Sequence, residues 1–104
     1  MIKIAYLDFP PMIFGYSELD LKTGMYWIFI DNKQCLLHQR FAFGHELAHV
    51  FLKHHNKADY FADHGSAILD NCEREANRRA WEFYRRYKGA FYQLQQVGKA
   101  TISV

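Results

Sequence analysis

His45-Glu46-Leu47-Ala48-His49 sets two imidazoles and a carboxylate within five residues. On a helix, positions four apart stack one turn above each other on the same face. His45 and His49 can then offer two ring nitrogens to one metal ion. Glu46, one step round the helix, can reach a water bound to that ion. Two ligands and a general base at this spacing are the zinc-peptidase arrangement, and its chemistry is metal-assisted hydrolysis. With six histidines in 104 residues, such a string arises by chance in about one or two of a hundred chains, so context has to decide. Phe41, Ala42, Phe43, Leu47, Val50, Phe51 and Leu52 surround it. That is a mostly buried helix, in which His and Glu need partners. A core helix with two satisfied histidines is the plain alternative.

Two histidines leave a catalytic site one protein ligand short, because zinc there usually takes three and keeps a position for water. A second strong helical segment, Asp70-Asn71-Cys72-Glu73-Arg74-Glu75-Ala76-Asn77, supplies candidates. Glu73 shares a face with Ala76, Asn77 and Ala80, and the small alanines would let this helix approach the first one closely. Glu75 points elsewhere, towards the side of Arg78, Arg79 and Glu82. Glu73 is the better third ligand. Its competing role is a capping box, with Asp70 as N-cap and Glu73 three residues later. Cys72 and His64 are weaker alternative ligands.

These residues resemble the ImmA/IrrE family of zinc metallopeptidases. Its members look like Arg-Phe-x-x-x-H-E-x-x-H, then a variable stretch, then E-x-x-A-N on a second helix. Here Arg40-Phe41 precedes the motif, Leu52 and His54 follow it, and Glu73-Arg74-Glu75-Ala76-Asn77 supplies the second part. The resemblance runs from about Tyr26 to Ala80. It implies that Glu73 is the metal ligand, in agreement with the helical-face argument. It also implies a protein substrate, such as a transcriptional repressor of a mobile element or stress response. The sequence departs from the pattern after Asn77, where Arg78-Arg79-Ala80-Trp81-Glu82-Phe83-Tyr84 stands in place of Phe-Ala and an apolar stretch. This departure bears on substrate specificity more than on metal binding. Many relatives carry a helix-turn-helix DNA-binding unit or are encoded beside one, and this chain is too short to hold one besides the catalytic core.

The elements that must position these groups follow from periodicity. Ile2, Ile4 and Tyr6 alternate with Lys3, Ala5 and Leu7 as a strand, which Pro10-Pro11 ends. Ile13 to Leu21 is ambiguous between strand and extended loop. Lys22-Thr23-Gly24 reads as a turn, and Met25 to Ile30 as a buried, β-rich strand. After a second turn at Asp31-Asn32-Lys33, helical spacing begins near Cys35 or Leu36 and runs to His54, with Leu37, Phe41, Gly44, Ala48 and Phe51 recurring. His54 to Leu69 reads as a loop or short helix. A second helix spans about Asn71 to Tyr87, Lys88-Gly89 loosens or ends it, and Gln93 to Gln96 could extend it. Gly98 is a firmer stop, and Thr101 to Val104 a short terminal strand. The expected fold is one α+β domain over residues 1–104. A small, mostly antiparallel sheet is followed by two packed helices carrying a zincin-like metal site.

Half the residues are apolar and 17 % aromatic, enough for a core. A chain this small is marginal, and a metal joining two helices would stabilise it. No apolar run is long enough for a membrane span. The first residues lack a signal-peptide pattern, and Cys35 and Cys72 are too few for a disulfide framework. A cytoplasmic protein with free thiols is the simplest reading. The net charge of +2 singles out no partner. Arg74, Arg78, Arg79, Arg85, Arg86 and Lys88 with Trp81, Tyr84 and Tyr87 could bind nucleic acid, but a solvated basic face opposite an aromatic core face accounts for them better. The sequence leaves the oligomeric state open.

The expected mechanism has Zn²⁺, or another divalent ion such as Mn²⁺, on His45, His49 and Glu73, with Glu46 as general base. Tyr60, His64, His54 and His55 are candidates to stabilise the developing oxyanion. Met25 to Ile30 is either an edge strand that pairs with an extended peptide or an ordinary central strand. The competing function is a regulatory module that keeps the metal for structure alone and is partnered by another protein.

Overall fold

The structure is a computed structural model that describes residues 1–56 and 67–103. Strand β1 (Ile2–Leu7) turns Ile2 and Ile4 to the inside, where each is almost fully buried. The chain then passes Pro10 and Pro11 to the far side of the sheet. Strand β2 (Gly15–Leu19) forms an antiparallel hairpin with β3 (Tyr26–Asp31). The turn closes with the Gly24 amide on the Asp20 carbonyl, and Gly24 takes φ +73°, a conformation that favours glycine. Because β2 reverses the chain once and the hairpin reverses it again, β3 runs parallel to β1, with Ile4 opposite Ile28. Strand β4 (Lys99–Ile102) pairs antiparallel with β1 on its other side. The sheet order is β2-β3-β1-β4. It is mixed, with antiparallel pairing everywhere except between β1 and β3.

Met25 to Ile30 thus falls almost wholly in the central strand β3, and β2 and β4 are the edges. Sequence could not rank them, because Gly-Tyr-Ser-Glu-Leu lacks the apolar alternation that marks a strand.

One face of the sheet is covered by helices. Helix α1 (Leu36–Phe51) presses Phe43, Leu47 and Val50 into the core. Leu37, expected on that face, is exposed. Buried Asp31 aims the chain into α1: its carboxylate accepts from the Lys33 amide at 3.1 Å and from Gln34 Nε2 at 3.0 Å. Lys53 ends α1 in the left-handed region at φ +57°, a geometry that stops helices. This folds the short 3-10 turn His54–Asn56 back against the helix.

Helix α2 spans Ala67–Arg86, beginning four residues before the expected start at Asn71. Asp70 is therefore inside the first turn and not the N-cap, so the capping-box role for Glu73 falls away. Helix α3 (Lys88–Val97) follows as a separate third helix and ends at Gly98, φ +80°. Phe91 and Leu94 complete the core.

The α1–α2 crossing depends on Gly44. A Cβ there would lie 1.9 Å from the Ala80 carbonyl oxygen, so the two backbones touch with no room for a side chain. Ala76 and Ala80 are fully buried on the facing side. The close approach expected from these alanines is present, and its other half is Gly44.

Candidate metal centre

Helix α1 places His45 and His49 one turn apart on the face turned towards α2, and the Gly44–Ala80 contact brings Glu73 opposite them. The two Nε2 atoms are 3.0 Å apart. His45 Nε2 is 3.1 Å from Glu73 Oε2, and His49 Nε2 is 2.9 Å from Glu73 Oε1. One donor atom from each of the three residues falls within 4.8 Å of the others. Tetrahedral ligands on bonds of about 2.0–2.1 Å stand about 3.3 Å apart, so the donor set fits a zinc-sized ion with small adjustments. Protons on both nitrogens would set two N–H groups against each other at 3.0 Å. A cation instead accepts lone pairs from all three groups.

The electrostatics favour positive charge at this point. Burial pulls the His45 pKa down, but hydrogen bonding to Glu73 and the charges of Glu46 and Glu73 outweigh it, and the net shift is upward. For Glu73 burial acts upward, and the two histidines overcome it to hold the carboxyl far below its usual range. A negative field that retains a proton would also retain a divalent cation.

Glu46 is 7 % exposed and lies next to the cluster. Burial raises its pKa, partly offset by His45, His49 and the Ser17 hydroxyl. A carboxylate tuned upward in this way accepts a proton more readily near neutral pH. Gly15 on β2 makes room for it, since a Cβ there would lie 3.3 Å from Glu46 Cγ. Sequence reading left both Gly15 and Ser17 unassigned, because a lone Gly or Ser in an ambiguous strand carries no signal. A cleft of about 330 Å³ opens above the cluster, with Ile13, Phe14 and Phe41 on an apolar wall and His45, Glu46 and Glu73 at its floor.

Residues 2–89 match the peptidase M78 family, described as the IrrE N-terminal-like domain. The chain belongs to this family. No curated protein and no solved structure shows a significant match to it. Membership makes the chain a metallopeptidase-type domain, and its His–His–Glu cluster is suited to a metal. The matched span reaches beyond the segment Tyr26 to Ala80 that carries the motifs. It takes in β1, β2 and all of α2.

The other sequence candidates fall elsewhere. His54 is fully buried and His55 is 7 % exposed. Neither lines the cleft, because each is engaged behind α1: His54 with His49 and Glu75, and His55 Nε2 with Ser17 Oγ at 2.9 Å. They are therefore not placed to meet an oxyanion in the cleft. Glu75 stays outside the cluster, and its carboxylate reaches His54 across the fold. Arg79 and Arg86 instead both approach Glu82. Cys72 is buried and outside the cluster, and Cys35 is exposed. Tyr60 and His64 lie outside the described residues. Trp81, in the segment that departs from the family pattern, packs against Phe41 and Tyr84. No helix among the described residues is long and apolar enough to cross a membrane.

Proposed function

We propose that this metallopeptidase-type domain is a zinc-dependent endopeptidase acting on a protein. The observation that carries the proposal is the convergence of His45 Nε2, His49 Nε2 and the Glu73 carboxylate, with buried Glu46 beside them and with His45, Glu46 and Glu73 lining the adjoining cleft. In this reading His45, His49 and Glu73 hold the ion. When bound, zinc would activate a water and polarise a carbonyl; Mn²⁺ suits the same donors less well, because it stands lower in the affinity order and prefers oxygen ligands. Glu46 takes the proton from the attacking water on a carboxylate oxygen and returns it to the departing amine. The substrate lies extended along edge strand β2, whose Gly15 borders both the cleft and Glu46. An apolar side chain of the substrate fits against Phe14 and Phe41. By analogy with the family, the substrate is a transcriptional repressor of a mobile element or stress response.

The test is a proteome-derived peptide library incubated with the zinc-loaded chain and, in parallel, with Glu46→Gln. New termini formed only by the wild type support the peptidase. Zinc bound by both chains, with no new termini from either, would leave a regulatory module with a structural metal.

A further inference from the structure

We propose that the groove between the N-terminal half of α1, the end of α2 and α3 is a second ligand site, one that takes a nucleoside monophosphate. It shares no lining residue with the cleft above the metal cluster. The proposal therefore stands or falls independently of the peptidase reading.

Arg40 is partly buried on α1, one turn before Gly44, and the metal chemistry gives it no task. Its Nε is shielded from water and has no hydrogen-bond partner among the described residues. The guanidinium lies over the Tyr84 ring, 5.9 Å from the centroid. A cation held in this way is normally accompanied by an acid. No acidic side chain lines the cavity of about 370 Å³ that Arg40 borders. Lys88, the first residue of α3, lines the same cavity and brings a second positive charge. Helix α3 contains no Asp or Glu to neutralise either. Arg79 and Arg86, by contrast, share Glu82.

Two cations without an acid match a dianion better than a single carboxylate. A phosphate monoester carries close to two negative charges at neutral pH. Arg40 offers a planar fork of donors and Lys88 a compact charge, and both donate well to phosphate oxygens.

The remaining lining suits a planar body attached to that phosphate. Buried Phe91 meets Tyr84 edge to face at 5.5 Å, and Phe43 holds Phe91 from the core side at 5.3 Å. Tyr92 lines the cavity while remaining 63 % exposed, so its ring is free to stack on a base. The Gln95 carboxamide carries a donor and an acceptor, as the edge of a base does. The volume is near the lower end for small-molecule sites, which favours one nucleotide over a strand.

The experiment titrates adenosine 5′-monophosphate into the full ¹⁵N-labelled chain with one equivalent of zinc and follows the amide shifts. The expected result is a saturable response centred on Arg40 and on α3. Adenosine and inorganic phosphate should each bind about tenfold more weakly or worse, since each keeps only part of the contacts. Arg40→Met retains the stem over Tyr84 and drops the charge, and Lys88→Met changes an exposed position. Each should weaken the monophosphate by about tenfold or more. No saturable response at millimolar concentration would overturn the proposal. So would shifts confined to the residues around the metal cluster, affinity no better than that of inorganic phosphate, or affinity unchanged in the variants. Tighter binding of a phosphotyrosine peptide or a single-stranded oligonucleotide would overturn the assignment to a mononucleotide. If Arg40→Met does not fold, Lys88→Met and the wild-type shift map decide.

Discussion

Helices α1 and α2 meet in two adjoining places by different physics. At Gly44 and Ala80 the contact is backbone on backbone, with no side chain between. Beside it, at His45, His49 and Glu73, the contact is three polar groups aimed at one point. The first contact is apolar, close-packed and needs nothing from solution. The second concentrates lone pairs and negative charge that only protons or a cation relieve. The comparison teaches that packing sets the distance at which the polar groups converge. The ligand geometry follows from the Gly44–Ala80 approach, so replacing a ligand should leave the approach in place. Blocking the approach should instead spread the ligands apart.

Gly44→Ala should have the widest effect. Its Cβ would sit 1.9 Å from a backbone oxygen that has no rotamer to escape into. The cost should reach or exceed the upper end of the usual overpacking range, about 3 kcal/mol, which lowers Tm by more than about 12 °C. Zinc uptake should fall with it, because α2 must retreat. A Gly44→Ala chain with unchanged Tm and full zinc would break the claim that packing sets the ligand distances. Glu46→Gln touches neither contact. It should keep the fold and zinc and lose turnover by about 10²–10⁴-fold, measured on whichever peptide the library yields.

The smallest effect is expected at Asp31, outside both contacts but at the entry to α1. A hydrogen bond from Gln34, reinforced by Lys33, holds its carboxyl below the usual value. A depressed folded pKa stabilises fully above the unfolded pKa, near 3.9, and that stability is lost as pH falls through the folded value. Urea midpoints of the wild type should therefore drop below about pH 4, and Asp31→Asn should show a shallower drop over that window. Parallel curves for the two chains would remove Asp31 from the account of α1 placement.

The polar contact was legible in the sequence and the packing contact half so. His45, Glu46 and His49 declare themselves by four-residue spacing, and Glu73 by the small residues on its face. Ala76 and Ala80 pointed to a close approach, but Gly44 showed only as one more position on a helical stripe. The start of α2 was misjudged because Asp70 followed by Glu73 imitates a helix N-terminus, while Ala67 carries no start signal. Edge strand β2 stayed ambiguous because Ser17 and Glu18 stand where apolar residues would announce it. The bond between His54 and Glu75 joins residues 21 apart on different elements. Local pattern holds no trace of such a pair, since it arises only after Lys53 reverses the chain.

The central claim is that α1 and α2 together make one metal site. Its most direct test is elemental analysis of the wild type and Glu73→Ala, purified identically without chelator. The account predicts about one zinc per wild-type chain and a large loss in the variant, with both chains folded. A folded wild type that takes up no metal even when zinc is supplied would make His45, His49 and Glu73 a polar packing cluster and contradict the account.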